Sequence, residues 1–188
     1  MAVRNKVIWI TGASGGIGEA LARELAANGA RLILSARRKS ELERVRASLA
    51  NSTQHLLLPL DITDSAAVTL ALHTIKQQIG GLDWLINNAG ISQRALIVDI
   101  TAQTDRKLFE VDYFAQVNLT RQALPLLLAD GGGKVAAGWS YWSKEKTNRL
   151  VVGLGMMPRG EVGLIFLGLG SQAGILGAIA LALKEGKV

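Results

Sequence analysis

Gly12, Gly16 and Gly18, three glycines within the stretch "TGASGGIG", suit one kind of chemistry. They let a backbone turn sharply, approach an anion closely and present its N–H groups to it. The stretch follows the apolar run Val7 to Ile10 and precedes Ile17, Leu21 and Leu25 at helical spacing, so the start of a helix would face a diphosphate. About twenty residues further on, where an NAD site keeps an acid for the ribose hydroxyl, the chain instead reads "SARRK". Arg37 and Arg38 suit a 2′-phosphate, because guanidinium forks pair with phosphate oxygens, and the pair therefore predicts NADP over NAD. Asp61 closes a third apolar run, where its carboxylate would meet an adenine amino group, and Asn88, Ala89 and Gly90 close a fourth on the same ligand-facing edge.

A second stretch with chemical potential is "SYWSKEK", residues 140 to 146. A lysine four residues after a tyrosine shares its helix face and can lower the phenol's pKa for proton transfer. Here Lys144 follows Tyr141 by three residues and Lys146 by five, and the position between is Glu145. Ser140 directly precedes Tyr141, so the two cannot bracket a carbonyl from separate elements. The spacing predicts no assembled proton-transfer site, and the catalytic residues stay unassigned. Without a single cysteine, and with only His55 and His73 as imidazoles, the chain has no thiolate nucleophile and little from which to build a metal centre.

The elements that would position these residues alternate. After the first strand, glycine turn and helix, which ends at Asn28-Gly29, "RLILSA" reads as a second buried strand, and "SELE" from Ser40 as a capping box opening a helix to about Leu49. "HLLLPLD" gives a third strand, "DSAAVTLALHTIKQQIG" an amphipathic helix and "LDWLINNAG" a fourth strand. Residues 105 to 129 read as one long helix, with Phe109, Phe114, Val117, Leu124 and Leu128 among its apolar positions. Short apolar strands alternating with helices predict a parallel sheet covered on both faces, an α/β doubly wound architecture with ligands at the carboxyl ends of the strands.

Charge and hydropathy divide the chain in two. Its formal charge is +6, but residues 1 to 133 hold 14 Lys and Arg against 12 Asp and Glu, and residues 134 to 188 hold 7 against 3. The one dense basic cluster, Arg37 to Lys39, lacks interleaved aromatics and suits a small phosphate; no nucleic-acid partner is expected. The N-terminal apolar run is too short for a signal peptide, which predicts a cytoplasmic start. Mean hydropathy is nonetheless positive, +0.26. The excess lies in residues 162 to 183, 22 uncharged residues rich in glycine and alanine. As a helix of about 33 Å they match a hydrocarbon core of about 30 Å, which predicts a membrane-associating C-terminal helix; burial on the sheet is the alternative.

"TGASGGIG", "LSARR", "LDI" and "NNAG", in this order and spacing, resemble the classical short-chain dehydrogenase/reductase family over about residues 4 to 133. The resemblance implies that Gly12, Ser14, Gly16, Ile17 and Gly18 cradle the diphosphate and that Arg37 reads the 2′-phosphate. It further implies that Asp61 and Ile62 hold adenine, and that Asn88, Ala89 and Gly90 flank the cofactor ribose. The expected activity is NADP(H)-dependent oxidoreduction of a small carbonyl or alcohol, set against a non-catalytic nucleotide-binding module. Two departures stand out. Asp112 occupies the place of the family's active-site Asn, losing an amide donor. "GGGKVAAGWS" resembles the start of the strand that ends in the family's serine, but no Tyr and Lys in a Y-x-x-x-K arrangement follow it. The reductase-type arrangement thus looks truncated and catalytically impaired. Residues 134 to 188, through "VGLGMMPRGEVGLIF", resemble a late transmembrane segment of cation/proton antiporters, in which Arg159 and Glu161 would belong to a charged membrane-interior motif. The expected organisation is an incomplete nucleotide-binding domain over 1–133 joined to an apolar, antiporter-like fragment over 134–188.

Overall fold

The central strand β1 (Val7–Thr11) shows why the chain must form layers: Ile8, Trp9 and Ile10 are each fully buried, so both of its faces are covered. Because strand side chains alternate, Ile8 and Ile10 enter one core and Trp9 the other. In the computed structural model, which describes residues 3–93, 96–129 and 133–137, β1 lies at the centre of a five-stranded parallel sheet. The others are β2 (Arg31–Ser35), β3 (Leu56–Leu57), β4 (Trp84–Asn87) and β5 (Lys134–Ala137). Their order is β3-β2-β1-β4-β5, the doubly wound arrangement expected from the alternating pattern.

One face carries α1 (Gly16–Ala27) and α2 (Lys39–Ala47), whose Leu21, Leu25, Leu42 and Val45 pack with Ile8, Ile10, Leu32 and Leu34. The other carries α3 (Ser65–Gln78) and a long helix whose last section is α5 (Ala115–Leu128). Val68, Leu72, Ile75, Leu119, Ala123 and Leu126 close there on Trp9, Ile33 and Leu85. Each fully buried Leu, Ile or Val contributes about 1.5–3 kcal/mol by leaving water, so the paired cores carry most of the fold. His55 is buried as well: Nδ1 accepts from the Leu32 amide at 3.1 Å, so Nε2 holds the proton and donates to the Ala50 carbonyl at 2.8 Å. Burial lowers its pKa.

Several boundaries differ from expectation. The helix after "SARRK" begins at Lys39, with Arg38 at its N-cap and no side-chain cap, so "SELE" is not a capping box. What the helix buries is Leu42 and Val45. The next helix does have a polar cap, since Asp64 accepts from the amides of Ala66 and Ala67, both at 3.0 Å. The long helix starts earlier than expected, as α4 (Ala102–Phe109), and passes through a π-turn at Glu110–Phe114 before α5. The buried stripe lies on another face than the expected one. Phe109, Phe114 and Leu128, expected among its apolar positions, are exposed, whereas Ala115, Leu119 and Leu127 are buried. The third strand is only two residues long.

The boundary drawn at 133 falls one residue before β5, which pairs with all four residues of β4, from Trp84 opposite Lys134 to Asn87 opposite Ala137. The α/β sheet thus continues past it. The expected apolar C-terminal helix and the antiporter-like motif lie outside the described residues. Among the described residues no helix is long and apolar enough to cross a membrane.

Candidate nucleotide-binding site

The strand order reverses between β1 and β4: the chain leaves β1 for α1 on one face, and β4 for the long helix on the other. The carboxyl ends of this pair therefore flank a crevice, the usual ligand site of such sheets. Two turns form its walls, one after Thr11 and one after Asn87.

Three of the first turn's glycines are required, for two different reasons. Gly12 and Gly16 have φ of +66° and +53°, a region that side chains disfavour. A Cβ on Gly12 would lie 2.8 Å from the Ala89 Cα, and one on Gly18 would run into the Gly12 carbonyl oxygen and stand 2.6 Å from Asn88 Nδ2. Gly15 is extended, at φ 177°, and faces open space. The turn is thus closed beneath by backbone contacts and open above. The first amides of α1 lack intrahelical partners, as at every helix start. Open space, free amides and a favourable helix dipole together fit a diphosphate.

Thr11 holds the two turns together. Its buried hydroxyl accepts from the amides of Asn88 and Ala89, both at 3.0 Å, and donates to the Ile86 carbonyl at 3.3 Å. Asn88 returns the link, donating Nδ2 to the Thr11 and Gly12 carbonyls at 3.0 and 3.2 Å. Both Asn88 donor hydrogens are therefore spent on the turn, and Asn88 sets the crevice wall by position. From below, Gln116 Nε2 donates to the Ala89 carbonyl at 2.8 Å, and Asp112 Oδ1 accepts from the Ile91 amide at 2.8 Å. The π-turn presents Asp112 there. Burial raises its pKa, offset in part by that amide, so this carboxylate is held less readily in its charged form than an ordinary one.

At the other end of the crevice, Arg37 and Arg38 are exposed just after β2. Asp61 Oδ1 accepts from Thr63 N at 3.0 Å and Thr63 Oγ1 at 2.8 Å. The Thr63 amide lowers the Asp61 pKa, with burial opposing, and the Thr63 hydroxyl and the charge of Arg37 add to the lowering. Arg37 and Asp61 thus share one edge, as their places after neighbouring strands predict. Ile62 is different: it is 6% exposed and packs in the core with α3, so only its backbone faces a ligand. Ile17 is half-buried against the core under α1. Ser14 turns its carbonyl toward Arg44, at 3.3 Å from Nη2.

The structure brings Gly12, Ser14, Gly16 and Gly18 together with Asn88, Ala89 and Gly90, and sets Arg37, Arg38 and Asp61 along the same edge. Ser140, Tyr141, Lys144 and Lys146 lie outside the described residues. Four contributors escaped sequence reasoning: Thr11, Gln116, Glu19 and Arg44. Thr11 carried a signal, a hydroxyl closing an otherwise apolar buried strand. Glu19 is buried in the first turn of α1, paired with Arg23 at 2.7 Å and with Arg44 of α2 at 2.8 Å. Glu19 and Arg44 stand 25 positions apart, which hides that pair from any local spacing rule.

A family model described as short chain dehydrogenase matches residues 6–151. Human dehydrogenase/reductase SDR family member 7 is 45% identical over 134 residues, which is 69% of this chain and 40% of the human protein. Bovine dehydrogenase/reductase SDR family member 7B is 39% identical over 142 residues, 72% of this chain and 44% of the relative. The chain thus spans about two fifths of the length of these curated relatives. Among solved structures, L-sorbose reductase from Gluconobacter frateurii, complexed with NADPH and L-sorbose, superposes with a TM-score of 0.67 at 31% identity. That match covers 72% of this chain and 52% of the reductase. A short chain dehydrogenase from Shigella flexneri complexed with NADP gives 0.67 at 28% identity, covering 72% of this chain and 59% of the other.

Proposed function

The chain belongs to the short-chain dehydrogenase family, and from that membership we propose that its α/β sheet binds NADP(H) in preference to NAD(H) at the β1/β4 crevice. The observation that carries this reading is the pairing of an open, glycine-built turn with Arg37 beside Asp61 on one strand edge. Gly12, Ser14, Gly16, Ile17 and Gly18 would hold the diphosphate, Arg37 with Arg38 the 2′-phosphate, and Asp61 with the Ile62 backbone the adenine. Asn88, Ala89 and Gly90 would flank the cofactor ribose. When bound, the nicotinamide supplies hydride exchange with a small carbonyl or alcohol. The chain's own part is to bind, to orient through the Thr11 and Asn88 cross-link, and to exclude water along the crevice floor. Titration of the purified chain should show tighter binding of NADPH than of NADH. Arg37→Ala should weaken NADPH by about tenfold to a hundredfold, as expected for loss of charge-assisted bonds to a phosphate, and leave NADH unchanged. Equal affinities in the unmodified chain would remove Arg37 from the 2′-phosphate site.

Because Ser140, Tyr141 and the lysines after it depart from the family arrangement, and Asp112 replaces the amide, hydride transfer by this chain is proposed to be impaired. Turnover across a carbonyl panel should stay near background. Robust NADPH oxidation that disappears on Tyr141→Phe would restore an active oxidoreductase. A second reading, a membrane-associated nucleotide-binding fragment, is favoured by the uncharged run over 162–183. Its test is alkaline washing of membranes from cells expressing the chain with and without residues 150–188. Release of both forms would end that reading and the antiporter resemblance with it.

A further inference from the structure

Glu19 is an awkward residue for a diphosphate site. It is 6% exposed and lies in the first turn of α1, the end whose amides would face the phosphates. An unpaired carboxylate there would repel the ligand and oppose the helix dipole's attraction for it. We propose that Arg44 is a positioning residue of the nucleotide site: by pairing with Glu19 and holding the Ser14 carbonyl, it neutralises the acid beside the glycine turn so that the turn can accept a diphosphate. This inference rests on the nucleotide-binding reading above.

Arg44 reaches the turn from another element. Its Nη1 and Nη2 donate to Glu19 Oε1 and Oε2 at 3.1 and 2.8 Å, a two-pronged pairing that fixes the carboxylate plane. Nη2 also points to the Ser14 carbonyl at 3.3 Å, so one guanidinium touches both the acid and the turn. Nε donates to Glu41 Oε2 at 2.9 Å, which holds the arginine against its own helix. Arg23 completes the group from α1. Two arginines balance two glutamates, so the cluster is neutral, and loss of Arg44 would leave it with one negative charge beside the phosphates. The hydrogen bonds of Arg44 go to Glu19, Glu41 and the Ser14 carbonyl and none goes to Arg37 or Asp61, so its effect should be common to both dinucleotides.

The test uses the full chain with Arg44→Met, Arg44→Lys and the pair Glu19→Gln with Arg44→Met. Dissociation constants for NADPH and NADH are measured at low and high salt, well below each variant's melting temperature. Arg44→Met should weaken both cofactors by about tenfold, and the penalty should narrow in high salt, which screens the repulsion between the uncompensated charge and the solvent-facing ligand. Adding Glu19→Gln should recover most of the loss, because the group is then neutral again, with Arg23 balancing Glu41 and no acid left in the first turn of α1. A purely structural role would lower the melting temperature without this salt response. Folded Arg44→Met protein that binds both cofactors as tightly as the unmodified chain would overturn the proposal, as would a loss confined to NADPH. Should Arg44→Met not fold, Arg44→Lys decides: its retained charge should keep both constants within about threefold, and a tenfold loss would overturn the proposal. Failure of the unmodified chain to bind either dinucleotide would instead overturn the nucleotide-binding reading, and this inference with it.

Discussion

The two sides of the β1/β4 crevice are built differently. On the β1 side the glycine turn, α1 and α2 close on one another, and Glu19, Arg23, Glu41 and Arg44 are all paired. On the β4 side the long helix leaves Phe109, Tyr113 and Phe114 exposed, at 54%, 38% and 55%, and Asn87 Oδ1 is buried without a partner among the described residues. Asn87 donates to Thr120 Oγ1 at 2.8 Å, yet its oxygen accepts nothing there. The contrast teaches where the site's precision comes from. The glycine-turn side is fixed by backbone contact and paired charge, whereas the β4 turn is held by side-chain hydrogen bonds: the Thr11 and Asn88 cross-link, the Ile91 amide donating to Asp112, and Gln116 donating to the Ala89 carbonyl.

The sharpest way to break this contrast is to fill the turn. Gly18→Ala should destabilise the protein by about 3 kcal/mol or more, because its Cβ has only backbone and the Asn88 amide to displace. Gly15→Ala, three residues away, should change stability by no more than about 0.5 kcal/mol, since the backbone there is extended and the space open. Thermal melts of the two variants check this. Equal losses would mean that the turn is not close-packed as described.

Two carboxylates, one on each side, should then respond to pH with opposite signs. The Arg44 hydrogen bonds, against burial and with help from Arg23, lower the Glu19 pKa to about 2. A lowered folded-state value means that its stabilisation is complete above the unfolded value, near 4.5, and is lost as pH falls toward 2. After allowance for the half-exposed arginines, the contribution is on the order of 2 kcal/mol. Glu19→Gln should flatten the stability profile between those pH values, as denaturant midpoints would show.

Asp112 behaves in reverse. Burial raises its folded-state pKa, so the folded protein favours its neutral form, and that advantage is present in acid and lost as pH rises through the raised value. Asp112→Asn keeps an acceptor for the Ile91 amide without the charge, and should stabilise the protein slightly at neutral pH, by less than the Glu19 effect. A loss of stability at neutral pH would show that the charge itself is needed.

Much of the site was legible in residue order. The glycine turn was legible because positive φ and close backbone approach restrict residue choice, and because it sits between an apolar strand and an amphipathic helix. The strand-end positions of Arg37, Asp61 and Asn88 followed from the βα rhythm, since parallel strands bring all their carboxyl ends to one edge. The capping box at Ser40 misled, because a local hydrogen-bond motif worth about 1 kcal/mol is easily outweighed by packing on a sheet. The apolar positions of the long helix misled as well: the helix offers apolar residues on two faces, and contact with the sheet and α3 buries Leu119, Ala123 and Leu126 while Phe114 and Leu128 stay exposed.

The sequence by itself determined the layered α/β class, the glycine turn between the first strand and helix, and the place of Arg37 just after the second strand, all of which depend on near neighbours or on strand periodicity. Only the tertiary structure decided that Thr11 and Asn88 lock two turns together, that Ile62 faces the core rather than a ligand, and that Arg44 answers Glu19. Those outcomes arise between residues 25 to 78 positions apart, brought within hydrogen-bond reach by the sheet order. The physical reason is that pairing and burial are properties of distance in space, and the chain's local preferences fix that distance only within a turn or two of each residue.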